Sequence, residues 1–273
     1  MRYKRKNTYG TERNERKAFG GYAVITGNEL FTYLCELAPL EKQMSFDNSG
    51  FLIGRKEKMI RNVILALDVT EAVVDEAIDN GADMIISHHP VIFHPLKALT
   101  DSKLIKLAAN DIAVISMHTN LDIAEGGVND VLLSLFGAEF VENLDKDNCG
   151  RVGILPEETA LSDFLRLCRS KLPANGLRYY DAGRAVKKIA VLGGSGADAL
   201  EDAAEKGCDT FLTADVKYHE FLAAQELGIN LIDGDHFGTE QPVIPMLFEK
   251  LSARYPDVHF CVSAAHKAII EFC

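Results

Sequence analysis

Apolar positions along the chain alternate between a helical period and short unbroken runs. Leu30, Phe31, Leu34 and Leu37 recur at helical spacing and predict a helix over 27–40. Residues 51–53 and 62–68 are short apolar runs that predict strands, with Asp47-Asn48-Ser49-Gly50 as a turn ahead of them. Over 70–80, Val73, Val74, Ala77 and Ile78 share one helical face, and Gly81 ends the helix. An apolar strand over 83–87 runs into His88-His89-Pro90. A helix over about 101–110 leads to a strand over 112–116, which ends just ahead of His118. This alternation predicts an α/β fold, a mostly parallel sheet covered by helices.

The same succession then returns. A helix over 161–172, strands over 177–180 and 188–192, a helix over 197–206, a strand over 209–213, a helix over 218–227 and a strand over 230–232 end near His236. Ser195 and Asp198 stand at capping-box spacing at the start of the 197–206 helix. Gly81 to His89 aligns without a gap with Gly207 to Asp215, and His118 to Asp122 with His236 to Glu240. Both latter segments read His-x-x-x-acid just past a short strand. We infer an internal duplication: two similar α/β halves, 27–145 and 146–273, with a site in the cleft between them.

The net charge of −11 is unevenly spread. Of 29 Lys+Arg and 40 Asp+Glu, residues 1–20 hold seven and two, leaving 22 basic against 38 acidic residues in the body. Such a body argues against a nucleic-acid partner, which needs clustered Lys and Arg. Residues 1–26 read as a basic, solvated, disordered extension without the apolar core of a signal peptide. No apolar run is long enough to cross a bilayer, so no membrane partner is expected. The six cysteines show no ligand spacing and read as reduced thiols of a cytoplasmic protein.

Candidate chemistry gathers at strand ends. In open α/β sheets, ligands collect outside the carboxyl ends of the strands. His88, His89, His94, His118 and His236 follow such ends, whereas His259 and His266, near the carboxyl terminus, have no comparable reason to converge. A bend before Pro90 can turn both adjacent histidines toward one cavity. Imidazoles with carboxylates suit Zn, Mn, Fe or Ni. Asp122 and Glu240 can bridge, which imidazole cannot, and two ions roughly 3.5 Å apart can activate a water and clamp a substrate oxygen. Gly193-Gly194-Ser195-Gly196 is either a phosphate cradle or a tight turn, though it lacks the Walker lysine. Asp68 and Asp215 either orient a ligand histidine or cap a turn. No nucleophile elbow supports a Ser-His-Asp triad.

Asp47 to Gly54, Ser87 to Phe93, His118 to Asp122, Gly193 to Gly196, Lys217 to Glu220 and His236 to Glu240 occur in an order that resembles the NIF-three-like proteins, also called GTP cyclohydrolase I type 2 homologs. The resemblance runs from about Asn28 to the end. It implies a dinuclear metal centre between two α/β domains and a homo-oligomer, commonly a toroidal hexamer. It carries the metal ligands onto His88, His89, Asp122, His236 and Glu240, with His118 close by. The short connection around 143–150 leaves no room for the domain that some members insert there. Two departures stand out: Asp235 and Ala214 occupy places where the family usually has glycine. A carboxylate at Asp235 could tighten metal binding or repel an anionic substrate. The resemblance thus implies a metal-dependent hydrolase of a nucleotide or related small molecule, with Glu240 bridging and His118 shuttling protons. The alternative is a non-enzymatic metal-binding scaffold or regulatory protein.

Overall fold

A computed structural model describes residues 25–272. The expected disordered extension lies outside the described residues, except for its last two. Those form β1 (Ile25–Thr26), which pairs with β3. The chain continues through α1 (Gly27–Leu37), β2 (Gly50–Ile53), β3 (Met59–Ile60), β4 (Asn62–Ala66), α2 (Glu71–Asp79), β5 (Met84–Ser87), α3 (Ser102–Ala109) and β6 (Ala113–Ser116). Two short helices, α4 (Thr119–Ile123) and α5 (Val128–Ser134), lead to β7 (Glu139–Asn143) and β8 (Arg151–Thr159). Then come α6 (Leu161–Lys171), β9 (Arg178–Tyr180), β10 (Val186–Ser195), α7 (Leu200–Glu205), β11 (Thr210–Ala214), α8 (Tyr218–Leu227) and β12 (Asn230–Asp233). The last elements are α9 (His236–Glu240), α10 (Val243–Arg254) and β13 (His259–Val262).

The first sheet has the order β13-β4-β5-β6-β2, and the second β7-β8-β10-β11-β12-β9. Each contains the same unit: three parallel strands, with a strand from earlier in the sequence lying antiparallel at the far edge. Thus β4-β5-β6 with β2 corresponds to β10-β11-β12 with β9, and the inferred repeat is visible as one topology used twice. Sheet membership does not follow the chain division at 145. β7 precedes it yet pairs with β8, and β13 follows it yet pairs with β4. Helix α10 crosses in the same way, packing Val243, Ile244, Leu247 and Leu251 against Leu30, Leu34, Leu65 and Ile86. The opposite face of that sheet, through Ile64, Ile85 and Val114, is covered by Val73, Val74 and Ala77 of α2 and by Leu104 and Leu107 of α3. Burial on both faces explains why these strands are unbroken apolar runs. Each such fully buried side chain contributes about 1.5–3 kcal/mol.

Local differences from the sequence expectation have identifiable causes. The first helix ends at Leu37 because Pro39 bars the preceding residue from helical dihedrals. Its start is a capping box: Glu29 N–H donates to Thr26 Oγ1 at 3.1 Å and Thr26 N–H to Glu29 Oε2 at 2.7 Å. The capping expected of Ser195 is absent. β10 carries Ser195 opposite Ala214, one residue short of the helical entry, and Gly196 takes the cap position without a side-chain bond. The 197–206 helix accordingly begins as a 3-10 turn, Ala197–Ala199. Among the described residues no helix is long and apolar enough to cross a membrane.

Candidate metal centre

The carboxyl ends of β4, β5, β6, β11 and β12 meet between the two sheets. Each supplies a histidine or the carboxylate that holds one. β12 passes into α9 through Asp235, whose φ of +68° turns the chain sharply. That turn makes His236 and Glu240 neighbours one helical turn apart, with Nε2 and Oε2 at 3.1 Å. β6 passes into α4 differently. His118 is the N-cap, outside the helix, with φ −107° and ψ −112°. Its Nδ1 donates to Asp47 Oδ1 at 2.8 Å, while Asp122 faces His88 Nε2 at 3.5 Å. The two His-x-x-x-acid segments are therefore related in sequence but not in geometry.

His88 and His89 do point into one cavity, with ring centroids 5.0 Å apart. Each of the four histidines has its Nδ1 anchored. His88 donates to the carbonyl of Met117 at 2.8 Å, His89 to Asp68 Oδ1 at 2.7 Å and His236 to Asp215 Oδ2 at 2.8 Å. An anchored Nδ1–H leaves Nε2 as the free lone pair, the tautomer a metal requires. Of the two roles expected for Asp68 and Asp215, the orienting one holds. Asp47, read from sequence as a turn residue and as part of a family segment but given no role at the site, does the same for His118. Its local signal was masked because aspartate is also a common turn residue.

Three groups of donor atoms result: His88, His89 and His118; His89, His236 and Glu240; and His88, Asp122 and Glu240. Within each group the atoms lie within 4.8 Å of one another. Glu240 belongs to the last two. Its Oε2 stands 2.9 Å from His89 Nε2, and its Oε1 3.8 Å from His88 Nε2. His88 Nε2 and Asp122 Oδ1 are buried without a hydrogen-bond partner, and so is Glu240 Oε2 unless His89 or His236, at 2.9 and 3.1 Å, carries a proton on Nε2. Leaving such atoms unpaired costs about 1–3 kcal/mol each, more when charged. A divalent cation satisfies all three, so the residues fit a metal. His94 and His219 join none of these groups among the described residues.

The electrostatics agree. Burial alone would raise the Glu240 carboxyl, but His88, His236 and His89 hold it well below its usual range. Burial raises Asp122 against the pull of His88, with the Glu240 charge adding to the rise. Burial disfavours charge on His89 and His236, yet the carboxylates of Asp68, Asp215 and Glu240 outweigh it. They push His89 up to about 10 and His236 up to about 9. Without a cation the cluster therefore holds protons in its place.

The glycine segment 193–196 is a close-packed turn rather than a phosphate cradle. The N–H groups of its three glycines are taken: Gly193 donates to Asn129 Oδ1 at 2.9 Å, Gly194 to Thr239 Oγ1 at 3.0 Å and Gly196 to Thr213 Oγ1 at 3.1 Å. Gly194 has φ +68°, and a Cβ there would stand 2.1 Å from Glu240 Oε1. Asp235 is likewise not a ligand. Its carboxylate caps α9, accepting from Gly238 N–H at 3.2 Å. The backbone explains why glycine suits this place, since φ +68° is costly for other residues.

The centre opens into a cleft of about 980 Å³. Its lining includes Phe46 and Phe93, the aspartates Asp145, Asp147, Asp198 and Asp202, and Lys146 beside the site histidines His89, His118 and His236.

Fold and site define an α/β protein with a histidine-carboxylate cluster between two related sheets. Residues 25–268 match the family Duf34/NIF3 (NGG1p interacting factor 3), and the chain belongs to it. A relative from Clostridium perfringens named "GTP cyclohydrolase 1 type 2 homolog" is 38% identical, covering 90% of this chain and 98% of its own. Among solved structures, Staphylococcus aureus protein SA1388 superposes with a TM-score of 0.82 at 27% identity, covering 91% of this chain and 99% of its own. Reduced HcgD from Methanocaldococcus jannaschii gives 0.79 at 29% identity, covering 89% and 99%.

Proposed function

We propose that this protein holds two divalent cations (Zn, Fe, Mn or Ni) and hydrolyses a nucleotide or related small molecule. The observation that carries this reading is Glu240. It is shared by the His89/His236 and His88/Asp122 donor sets, is buried, and faces an open cleft. His88, His89, Asp122, His236 and Glu240 are the ligands. When bound, such ions supply Lewis acidity and lower the pKa of a water beside the substrate. The chain's own residues do the rest. His118, oriented by Asp47, presents Nε2 to the cleft and moves a proton. Exposed Phe46 and Phe93 offer an apolar wall to a flat ring. The printed name of the Clostridium perfringens relative supports the nucleotide class.

The reading extends to organisation. The two units are built mainly from 27–145 and 146–273, with β7 crossing to the second and α10 and β13 to the first, and the chain works in the cytoplasm as a homo-oligomer, a toroidal hexamer, with neither nucleic acid nor membrane as partner. Exposed Phe140 and Val141 on edge strand β7 support assembly, because an apolar sheet edge invites a partner.

A second reading is a non-enzymatic metal-binding scaffold or regulatory protein. The acidic side of the cleft favours it, since four aspartates repel a polyphosphate. One experiment separates the readings: measure metal content, then assay a nucleotide and phosphoester panel beside His236→Ala/Glu240→Ala. Turnover that survives the double substitution refutes the hydrolase. Full metal content with no turnover on any substrate supports the scaffold. Fewer than one metal per chain under metal-replete conditions refutes the two-metal site.

A further inference from the structure

His266 lies on the segment that follows β13, far in sequence from every candidate ligand. Its side chain is only 3% exposed. Nδ1 faces the N–H of Leu67 at 3.5 Å, and Nε2 faces both the N–H of Asp68 at 3.4 Å and Asp68 Oδ2 at 3.5 Å. A neutral imidazole has one acceptor nitrogen and one N–H. The ring cannot accept both N–H groups; with Nδ1 accepting from Leu67, Nε2 carries the hydrogen, and Asp68 Oδ2 is the acceptor within its reach. The other oxygen of Asp68 accepts from His89 Nδ1 at 2.7 Å, so one carboxylate is held between two imidazoles. The His266 ring also packs on Phe237, the residue next to His236, with centroids 4.7 Å apart.

The rest of the segment is tied down on both sides of this point. Glu76 of α2 accepts from Ser263 Oγ and from the N–H groups of Ala264 and Ala265. Asn175, in the loop before β9, donates to the carbonyl of Ile270 at 2.6 Å, and a Cβ on Gly176 would stand 2.6 Å from the Phe272 ring. The segment thus starts on the first sheet and ends on the second half, and passes behind the metal centre on the way.

We propose that this carboxyl-terminal segment is a strap that positions the metal centre, and that His266 is its positioning residue, holding Asp68 so that His89 presents Nε2 to the cation. The proposal rests on the reading of His89, His236 and Glu240 as metal ligands. Asp68 is 45% exposed on its side chain, so water competes for it. The fixed N–H of His266 is what limits its rotation. Hydrogen-bond partners behind a ligand histidine fix its orientation and basicity, and losing them costs about 10–100-fold in metal affinity.

The test uses the full chain, stripped of metal. Zn²⁺ is titrated against a chromophoric chelator, and Co²⁺ is followed by its d–d absorption. His266→Phe keeps the ring against Phe237 but removes the N–H. His266→Gln restores a donor. The expected result is about 10-fold weaker Zn²⁺ binding and an altered Co²⁺ spectrum in His266→Phe, with most of both recovered in His266→Gln. Melting of the metal-free proteins supplies the structural control. Wild-type affinity and spectrum in His266→Phe overturn the proposal. So does a His266→Gln variant as weak as His266→Phe, or a loss of affinity that follows a loss of metal-free stability in both. If the unaltered chain takes up neither metal, the reading of the centre fails first, and the strap proposal with it.

Discussion

Gly194→Ala isolates the role of the glycine segment. A Cβ at Gly194 would stand 2.1 Å from Glu240 Oε1 and 3.1 Å from its Cδ. To reach van der Waals separation the carboxylate must retreat by about 1 Å or more. Metal–ligand distances tolerate only about 0.2 Å, so both donor sets that share Glu240 are spoiled at once. The φ of +68° adds about 1–2 kcal/mol of backbone strain for any residue with a Cβ. Gly183→Ala supplies the control, because Gly183 has φ +73° with nothing within 4 Å of its Cβ position. Both variants should therefore lose similar stability by denaturant titration, while Gly194→Ala alone loses metal affinity, by about 100-fold or more. Chelator competition measures the affinity. If Gly194→Ala binds zinc as tightly as Gly183→Ala, then Glu240 is not held against that backbone as a ligand, and the reasoning fails.

Three further outcomes follow from the same geometry. Asp68→Asn and Asp215→Asn each remove the charge behind one candidate ligand histidine and should weaken zinc binding about 10–100-fold, and at neutral pH they should also lower metal-free melting, because each carboxylate helps hold up the pKa of its histidine; unchanged affinity in both counts against the anchoring role. Asp235→Gly relieves a φ of +68° and removes the buried, unpartnered Oδ2. It loses a cap that glycine replaces at a cost of only a few tenths of a kcal/mol, so the net effect should be a gain of about 1 kcal/mol in denaturant unfolding; a loss refutes this account. Metal loading at pH 7.5 should release protons, since His89 and His236 titrate up at about 10 and 9 before metal arrives. Both pKa values lie above the ordinary 6.5, so the metal-free protein gains their full stabilisation below pH 6.5 and loses it as pH rises through 9 to 10. Calorimetry in buffers of different ionisation heat counts the protons, and none released at pH 7.5 contradicts the assignment.

Much of this molecule was legible in the chain alone. Its elements follow from local patterns: Val73, Val74 and Ala77 on one face of α2, or the unbroken run of β4, are set by which positions must be buried. The repeat was visible because both halves use the same unit, and the ligand candidates because they follow strand ends. What sequence could not decide were partners distant along the chain. The pattern beyond His236 assigns neither α10 nor β13: β13 forms because β4 offers it an edge, and α10 because the first sheet covers its apolar face. The roles of Asp47 and His266 were hidden for the same reason: each acts on a group about 70 or about 200 residues away. The unequal placements of His118 and His236 depend on backbone dihedrals at one residue each. Spacing reports that a histidine and an acid are four apart; only the folded backbone decides whether the histidine is inside the helical turn, where it meets the acid, or outside it, where it does not.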